Sequence, residues 1–280
     1  MELVDRLIKA HREDLAEKLK STWKNAIVFL CTDDSEESDI PVGASKVGGY
    51  PDLPPEIEFP VISAFKWIWL KGPSAGNCEE FPESAMQLMA QINLSELAQS
   101  GADVENVLPK TGMLYFFNSH FGYDVFSDCD GSDPYYRLEV DKPEYANAAK
   151  VIYWDGDMST LRRVEPPHPY FDGVMPCLSE PFAITFDSED NYDHELLNSD
   201  DYEEICQLLD IEDDDLVPIM SDKLLGVPWT VNPREMRRDD VNLFQMRDDE
   251  GCIVSDFWAI NKDDLKSGNF SAARFWVDCD

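Results

Sequence analysis

The sequence predicts an α+β protein in which strands dominate, arranged in mixed or antiparallel sheets with a few helices. Short apolar and aromatic runs occur along most of the chain, and helical periodicity is confined to a few stretches. Strands and helices do not alternate regularly, as they do in parallel α/β sheets. No clean linker interrupts the 280 residues, so we assign a single domain, 1–280.

The first predicted element is an amphipathic helix within residues 1–20. Its apolar positions recur at multiples of four residues, and charged residues fall between them. These positions are Leu3, Leu7, Leu15 and Leu19. A second helix is predicted at 202–209, where two acidic residues precede the first turn and suit the helix dipole.

Strands are predicted at 26–31, 86–92, 113–117, 135–140, 151–154, 182–186, 241–246, 252–260 and 273–277. Phe182, Ile184 and Phe186 alternate with smaller residues, as in a strand with one buried face. The run 113–117 does not alternate, so we expect it to be covered on both faces. Between the first two strands, glycines and prolines in 41–60 predict a shaped, mostly irregular loop.

Acidic residues cluster at 33–39, which we interpret as a solvated loop, and again at 187–215. The chain carries 57 acidic and 23 basic residues, a formal charge of −34. Nucleic acid is therefore excluded as a partner, because binding to phosphates needs lysines and arginines. The densest apolar run, 61–70, contains Lys66 and is too short for a membrane helix, so no membrane partner is expected.

Cysteine spacing and the N-terminal residues indicate a cytoplasmic protein. The seven cysteines form no C-x-x-C pair, so we expect free thiols and no structural zinc site. Residues 1–20 contain no apolar signal core. Soluble, cytoplasmic localisation is the expectation.

The sequence contains no catalytic motif from which an activity could be assigned, and we expect no cofactor and no metal. The chain lacks a G-x-S-x-G elbow, an H-E-x-x-H pair and a P-loop frame. Carboxylates at 128–133 and 187–193 could ligate calcium, but solvated loops explain them better. His120, after the strand 113–117, is the histidine to test first, although an exposed loop histidine is the simpler interpretation.

Several ordered segments are similar to the YwqG-like bacterial proteins, a family of unknown function. The segments are 45–54 (SKVGGYPDLP), 89–94 (MAQINL), 108–117 (LPKTGMLYFF), 223–228 (KLLGVP), 243–246 (LFQM) and 257–260 (FWAI), followed by Asp264 and Leu265. They extend from residue 45 to about 277. The resemblance implies a more polar loop than the one at 227–233, which leaves the role of that loop open.

The same residues suggest an internal repeat. Lys46-x-x-Gly49-x-Pro51 matches Lys223-x-x-Gly226-x-Pro228, and each is followed by a glutamine and a glycine. Those glutamines are Gln91 and Gln245, and the glycines are Gly112 and Gly251. The half-repeats would be 40–165 and 215–280, with the acidic segment 187–215 between them. Coincidence between short patterns is the alternative; a duplication would place two related halves around a shared cleft.

The candidate ligand-binding residues follow from this repeat. They are Lys46, Gly48, Gly49, Tyr50, Gln91, Asn93, Lys223, Gly226 and Gln245, with Trp229 as a further aromatic wall. Each glutamine lies in an apolar run, so its amide needs partners. In one interpretation the amides tie down the Gly/Pro loops, and in the other they line the cleft and hold a ligand. Each lysine could likewise bind an anion or pair with a carboxylate.

Charge and the lack of catalytic motifs favour a protein-binding module for a basic partner, comparable to an immunity protein that binds a toxin. The alternative is a small-ligand-binding protein or an enzyme with its site in the cleft between the halves. A third interpretation is that the charge only confers solubility. Enzymatic activity, the identity of the partner and the oligomeric state are left open.

Overall fold

The chain begins with two helices where the leucine spacing predicted one. A computed structural model describes residues 2–32, 36–68, 78–119, 149–170, 180–211, 216, 221–230, 239–248 and 254–279. Helix α1 spans Glu2–Lys9 and α2 spans Glu13–Thr22. The helical conformation is interrupted at His11, whose φ is 59°. In the series of leucines at intervals of four, which runs 3, 7, 15 and 19, position 11 is the one without a leucine. The spacing persists on both sides of the break because α1 and α2 pack in one apolar cluster.

Three further helices lie between strands. They are α3 Leu94–Ser100, α4 Ser199–Leu209 and α5 Lys262–Ser267. The prediction at 202–209 is confirmed within α4, whereas α3 and α5 were missed. Their signals were capping residues: Asn93 and Asn261 cap the N-termini, and glycines in the left-handed region end both helices. In the described residues, no helix is both long and apolar enough to span a bilayer.

The strands cover most of the predicted runs. The first eight are β1 Trp23–Cys31, β2 Lys46–Val47, β3 Asp52–Leu53, β4 Val61–Ile62, β5 Phe65–Ile68, β6 Cys78–Phe81, β7 Ser84–Ala85 and β8 Gln87–Asn93. The others are β9 Met113–Asn118, β10 Ala149–Trp154, β11 Arg162–Arg163, β12 Phe182–Tyr192, β13 Lys223–Leu225, β14 Asp240–Asp248, β15 Val254–Asn261 and β16 Arg274–Cys279. The strand predicted at 135–140 lies outside the described residues, as do Gly251, His120 and the carboxylates at 128–133.

Ten of these strands form one sheet in the order β10-β9-β8-β2-β12-β1-β13-β14-β15-β16. Its ladders are antiparallel. The predicted α+β class with dominant strands is therefore confirmed. The loop at 41–60 is mostly irregular, as expected, and contributes β2 to the sheet.

The sheet has two outer parts on either side of a central pair, β12 and β1. The first wing is β2, β8, β9 and β10, and the second wing is β13, β14, β15 and β16. Apolar side chains of the wings share one core: the ring of Phe116 on β9 lies 4.5 Å from that of Phe244 on β14 and 5.8 Å from that of Trp258 on β15, centroid to centroid. The sheet thus bends so that its wings pack face to face.

The residues of the proposed repeat occupy matching positions in the two wings. Lys46 pairs with Gln91 between β2 and β8, and Lys223 pairs with Gln245 between β13 and β14. Each wing is also completed by a central strand, since β2 pairs with β12 and β13 pairs with β1. The duplication itself stays a prediction.

Residues 187–192 form a strand and not the solvated loop expected from their acidity. Strand β12 continues to Tyr192 and pairs with β1 from Ile184 to Tyr192. Asp187 and Asp190 are exposed while Asn191 and Tyr192 are buried. The acids therefore occupy solvent-facing positions of a central strand, which composition alone does not distinguish from a loop.

Candidate functional site

Gln91 binds the first Gly/Pro loop with both ends of its amide. Its side chain is fully buried, and its Oε1 accepts a hydrogen bond from the backbone N–H of Asp52 at 2.9 Å. Its Nε2 donates to the carbonyl of Ala44 and to Oδ2 of Asp52, both at 2.8 Å. The amide thus has partners within the protein and fastens the loop onto β8.

Lys46 lies beneath the same loop in an ionic cluster. Its Nζ pairs with Glu37 and donates to the carbonyl of Tyr50. Arg163 pairs with Asp52 at 3.0 Å and with Glu37 at 3.1 Å. Burial lowers the pKa of Lys46, and the hydrogen bond that Lys46 donates to Glu37 opposes that shift. The cluster joins residues 37, 46, 52 and 163, of which only Lys46 was a sequence candidate.

The remaining candidates of this loop are also bound internally. Asn93 caps α3 and donates through Nδ2 to the carbonyl of Gly43 at 2.8 Å. Gly48 and Gly49 both have positive φ, and a Cβ on Gly49 would lie 2.0 Å from Oε2 of Glu37. Tyr50 is partly exposed at the rim. We conclude that these residues shape and fasten the loop.

The second loop, which begins at Gly226, is held in its described part by Gln245 and Asn191. Oε1 of Gln245 accepts from the N–H of Trp229 at 3.0 Å, and within the described chain its Nε2 has no hydrogen-bond partner. Asn191 takes part of the role that Asp52 has in the first wing: its Oδ1 accepts from Nζ of Lys223 at 3.3 Å and from the N–H of Val227 at 3.2 Å. Gly226 must be glycine, because its φ is +72° and a Cβ would lie 2.7 Å from that of Ala26.

Lys223 is the second fully buried lysine. Burial lowers its pKa from 10.5 to about 7, and the negative charge of Glu189 opposes the shift. A lysine with this pKa carries its proton only part of the time at neutral pH. Its protonation is therefore sensitive to small changes in the second loop.

The two glutamines do not face a common cleft. Gln91 lies between Ala90 and Ile92 on its strand, and Gln245 between Phe244 and Met246; all four neighbours belong to the core shared by the wings. Because successive residues of a strand point to opposite faces, both amides point away from that core. Each contacts the loop of its own wing, which corrects the expectation of a single seam.

A cleft does lie elsewhere, between β1, the segment after α3 and the second wing. It has a volume of about 790 Å³. We call it the seam cleft; it is formed by Lys24 and Asn25 of β1, residues 105–107 after α3, Asp193 and Leu196, residues 225–228 and 240–242 of the second wing, and Lys262, Leu265 and Lys266 of α5. Of the nine sequence candidates, Gly226 alone belongs to this lining, and Trp229 does not.

Asn25 and Asn242 hold the walls of the seam cleft in place. Oδ1 of Asn25 accepts from the N–H of Val104 at 2.9 Å, which ties the turn after α3 to β1. Nδ2 of Asn242 donates to the carbonyl of Leu225 at 3.0 Å, which ties β14 to β13. Both side chains are buried. The walls are therefore held in place by hydrogen bonds within the protein.

Sequence reasoning missed the seam cleft because its lining comes from six separate stretches of chain. The polar positions that shape it gave only weak signals, such as single asparagines at strand starts. Among the described residues, no group of three or more His, Cys, Asp or Glu side chains is arranged to hold a metal ion.

The fold and the cleft define a strand-dominated protein whose two antiparallel wings share one core, with a cleft between the central strand β1 and the second wing. A family model described as a domain of unknown function (DUF1963) matches residues 45–279, and the chain belongs to that family. No curated protein matches the chain.

Proposed function

We propose that this protein binds a small molecule in the seam cleft. The observation that supports the proposal most is the volume of about 790 Å³ between walls that hydrogen bonds hold in place. Ligand pockets of proteins have volumes of about 300 to 1,000 Å³. The cleft lies where β1 and the segment after α3 meet the second wing, and clefts at such junctions are common ligand sites.

The composition of the walls supports the same proposal. Apolar side chains such as Val107, Val227 and Leu265 line the cleft together with polar and charged ones. Ligand pockets combine an apolar surface with a few polar groups that orient the ligand. None of these groups forms a motif for catalysis, so binding is the function we propose.

A thermal-shift screen of small molecules tests this proposal when it includes a cleft-narrowing variant. Leu196 lines the cleft and is 67% exposed, so Leu196→Trp adds bulk at the cleft without disturbing the core. Leu208→Trp is the matched control, because Leu208 is 44% exposed on α4 and does not line the cleft. A ligand at 100 times its Kd should stabilise wild type and Leu208→Trp by about 2.7 kcal/mol. Shifts that are equal in Leu196→Trp would contradict the proposal.

Binding of a basic protein is the second candidate. The stretch 187–210 contains many acidic residues and no lysine or arginine, and Asp187, Asp190 and Glu203 are among its exposed side chains. Such a surface attracts a basic partner at low salt. This is also the basis for proposing an immunity-like role, in which the partner would be a basic toxin.

Pull-down at about 50 mM and about 300 mM NaCl tests the second candidate, since screening weakens exposed charges as salt rises. Asp200→Asn with Glu203→Gln removes two exposed charges from α4, and Glu2→Gln with Glu17→Gln removes two exposed charges elsewhere. A basic partner should be lost at high salt and with the α4 variant alone. Equal recovery with both variants would argue against a site at 187–210.

We also propose three finer assignments. Within the family, the chain would belong to the YwqG-like proteins, on the segments at 45–54, 89–94 and 108–117. The wings would derive from an internal duplication, an idea supported by the matching Lys–Gln pairs. The protein would act in the cytoplasm, where its cysteines would remain reduced.

A further inference from the structure

We infer that the seam cleft takes an organic anion, whose acidic group binds Lys262 and Lys266 of α5, with Lys24 of β1 as a third cation, and whose apolar part packs on residues 225–228. This inference rests on the proposed function and specifies the chemical class of the ligand. It is carried by the charges of the lining and by the arrangement of the lysines on α5.

Some lysines of this chain pair with carboxylates. Lys18 binds Asp201 at 2.6 Å and Lys110 binds Asp103 at 2.9 Å, and Lys46 pairs with Glu37. With 57 acidic residues against 23 basic ones, partners are abundant. The three lysines of the seam cleft, Lys24, Lys262 and Lys266, nevertheless form no ion pair within the described part of the chain.

The acids of the lining do not neutralise those lysines. Asp240 pairs with Arg274 and its side chain is only 3% exposed. Oε2 of Glu105 accepts from the backbone N–H of Asn25 at 3.3 Å. Asp193 is the third acid of the lining. Three ammonium groups therefore share the cleft with two carboxylates that form no ion pair within the described residues, those of Glu105 and Asp193, and this excess of positive charge favours a negatively charged ligand.

Lys262 and Lys266 are placed to act together. They lie four residues apart on α5, and such residues are neighbours on one helix face with Cβ atoms about 5–6 Å apart. Like charges at this spacing repel each other, and a bound anion relieves that repulsion. Leu265 is buried between them and anchors the helix, while Asn261 caps its start. The two ammonium groups can thus approach two oxygens of one carboxylate, phosphate or sulfonate.

The cleft is too large and too apolar for an inorganic anion alone. Leu225, Val227 and Pro228 line it on one side, and Val107 and Val241 line it elsewhere. Burial of apolar surface contributes about 25 cal/mol per Å². A ligand with an apolar body and one acidic group would use both kinds of wall.

Two fluorescent probes that share one aromatic skeleton test the inference. 8-Anilinonaphthalene-1-sulfonate carries a sulfonate, and N-phenyl-1-naphthylamine is its neutral counterpart. Both are titrated into the full chain and into Lys262→Gln/Lys266→Gln. The control is Lys9→Gln/Lys20→Gln, which removes two exposed lysines that do not line the cleft.

We expect saturable binding of the sulfonate probe, with a Kd raised about fivefold or more by Lys262→Gln/Lys266→Gln and unchanged in the control. The Kd of the neutral probe should change less than about twofold. All four substituted lysines are exposed, so both double variants should have the melting temperature of the wild type, which would show that they fold.

The outcomes separate this inference from the proposed function. If Leu196→Trp weakens both probes but Lys262→Gln/Lys266→Gln leaves the sulfonate probe unchanged, the cleft binds ligands and the anion inference is wrong. If neither probe binds saturably, or if Leu196→Trp affects neither, the cleft is not a ligand site and both proposals are overturned.

Discussion

Lys223 and Gln245 are register partners between β13 and β14, and both side chains are fully buried. Lys46 and Gln91 have the same relationship between β2 and β8. The two glutamines differ within the described residues, because both ends of the Gln91 amide are hydrogen-bonded whereas only Oε1 of Gln245 is.

Gln91→Met should destabilise the protein by about 3 kcal/mol, because it leaves the N–H of Asp52 and the carbonyl of Ala44 buried without their partner. Gln245→Met should cost only about 1 kcal/mol, since it removes a single hydrogen bond, from the N–H of Trp229. Urea unfolding measures both, and Gln245→Met is the matched control. Equal losses would show that the first loop does not depend on its amide.

Lys223→Met should stabilise the protein at low pH. The lysine has a pKa of about 7 in the folded chain against 10.5 for an ordinary lysine, so the unfolded state binds more protons between these values. The free energy of unfolding of the wild type therefore rises with pH across that window. The gain from Lys223→Met should be largest below about pH 7 and should shrink as the pH rises towards 10.5.

Chemical unfolding at several pH values measures that gain. Lys20→Met is the control, because Lys20 is exposed and its replacement should show no such pH dependence. A difference between Lys223→Met and wild type that stays constant from pH 6 to about pH 10 would contradict a proton loss in the folded state.

Gly226→Ala should cost about 3 kcal/mol or more. It forces a Cβ at a φ of +72° and brings it within 2.7 Å of Cβ of Ala26 and 2.8 Å of Oδ1 of Asn191. Gly101→Ala is a control for backbone strain alone: its φ is +75° and no atom lies within 4 Å of an added Cβ. That variant should cost about 1 kcal/mol. If thermal unfolding showed equal losses of stability for the two variants, strand β1 would have to shift enough to accommodate the added methyl group.

Asp103→Asn should loosen one wall of the seam cleft. The carboxylate is 2% exposed and accepts hydrogen bonds from the N–H groups of Val107 at 2.9 Å and Leu108 at 3.0 Å, besides pairing with Lys110. We expect a loss of about 2 kcal/mol and weaker binding of the sulfonate probe. Asp157→Asn, at an exposed position, should leave probe binding unchanged. Full retention of binding in Asp103→Asn would show that this wall does not position the ligand.

The sequence predicted the individual strands and helices better than it predicted the order of the strands in the sheet. Runs such as 113–117 were recognised because burial on both faces leaves a continuous apolar stretch, and the glutamines because an amide among apolar neighbours needs partners. The order of the sheet was beyond reach, since β2 has only two residues and joins β8 to β12. Two residues are too few to show the alternation of apolar and polar positions by which a strand is predicted from sequence.

The candidate site was predicted in part. Lys46, Gln91 and Asn93 are clustered as expected, but their partners Glu37 and Arg163 come from an acidic turn and a strand of two residues, where composition indicates only solvation. The seam cleft depends on how the second wing and the segment after α3 are placed against β1. Gly226 is the only candidate from the proposed repeat that lines this cleft.

Strand β1 lies outside the residues that match the family model, which begin at position 45, yet it pairs with β12 on one side and β13 on the other. Expression of 45–279 alone would open the sheet at its middle and expose the edges of both neighbouring strands, which are sites of aggregation. Strand β1, which lies before position 45, therefore joins β12 to β13 in the middle of the sheet. A shortened chain intended for crystallisation should retain it.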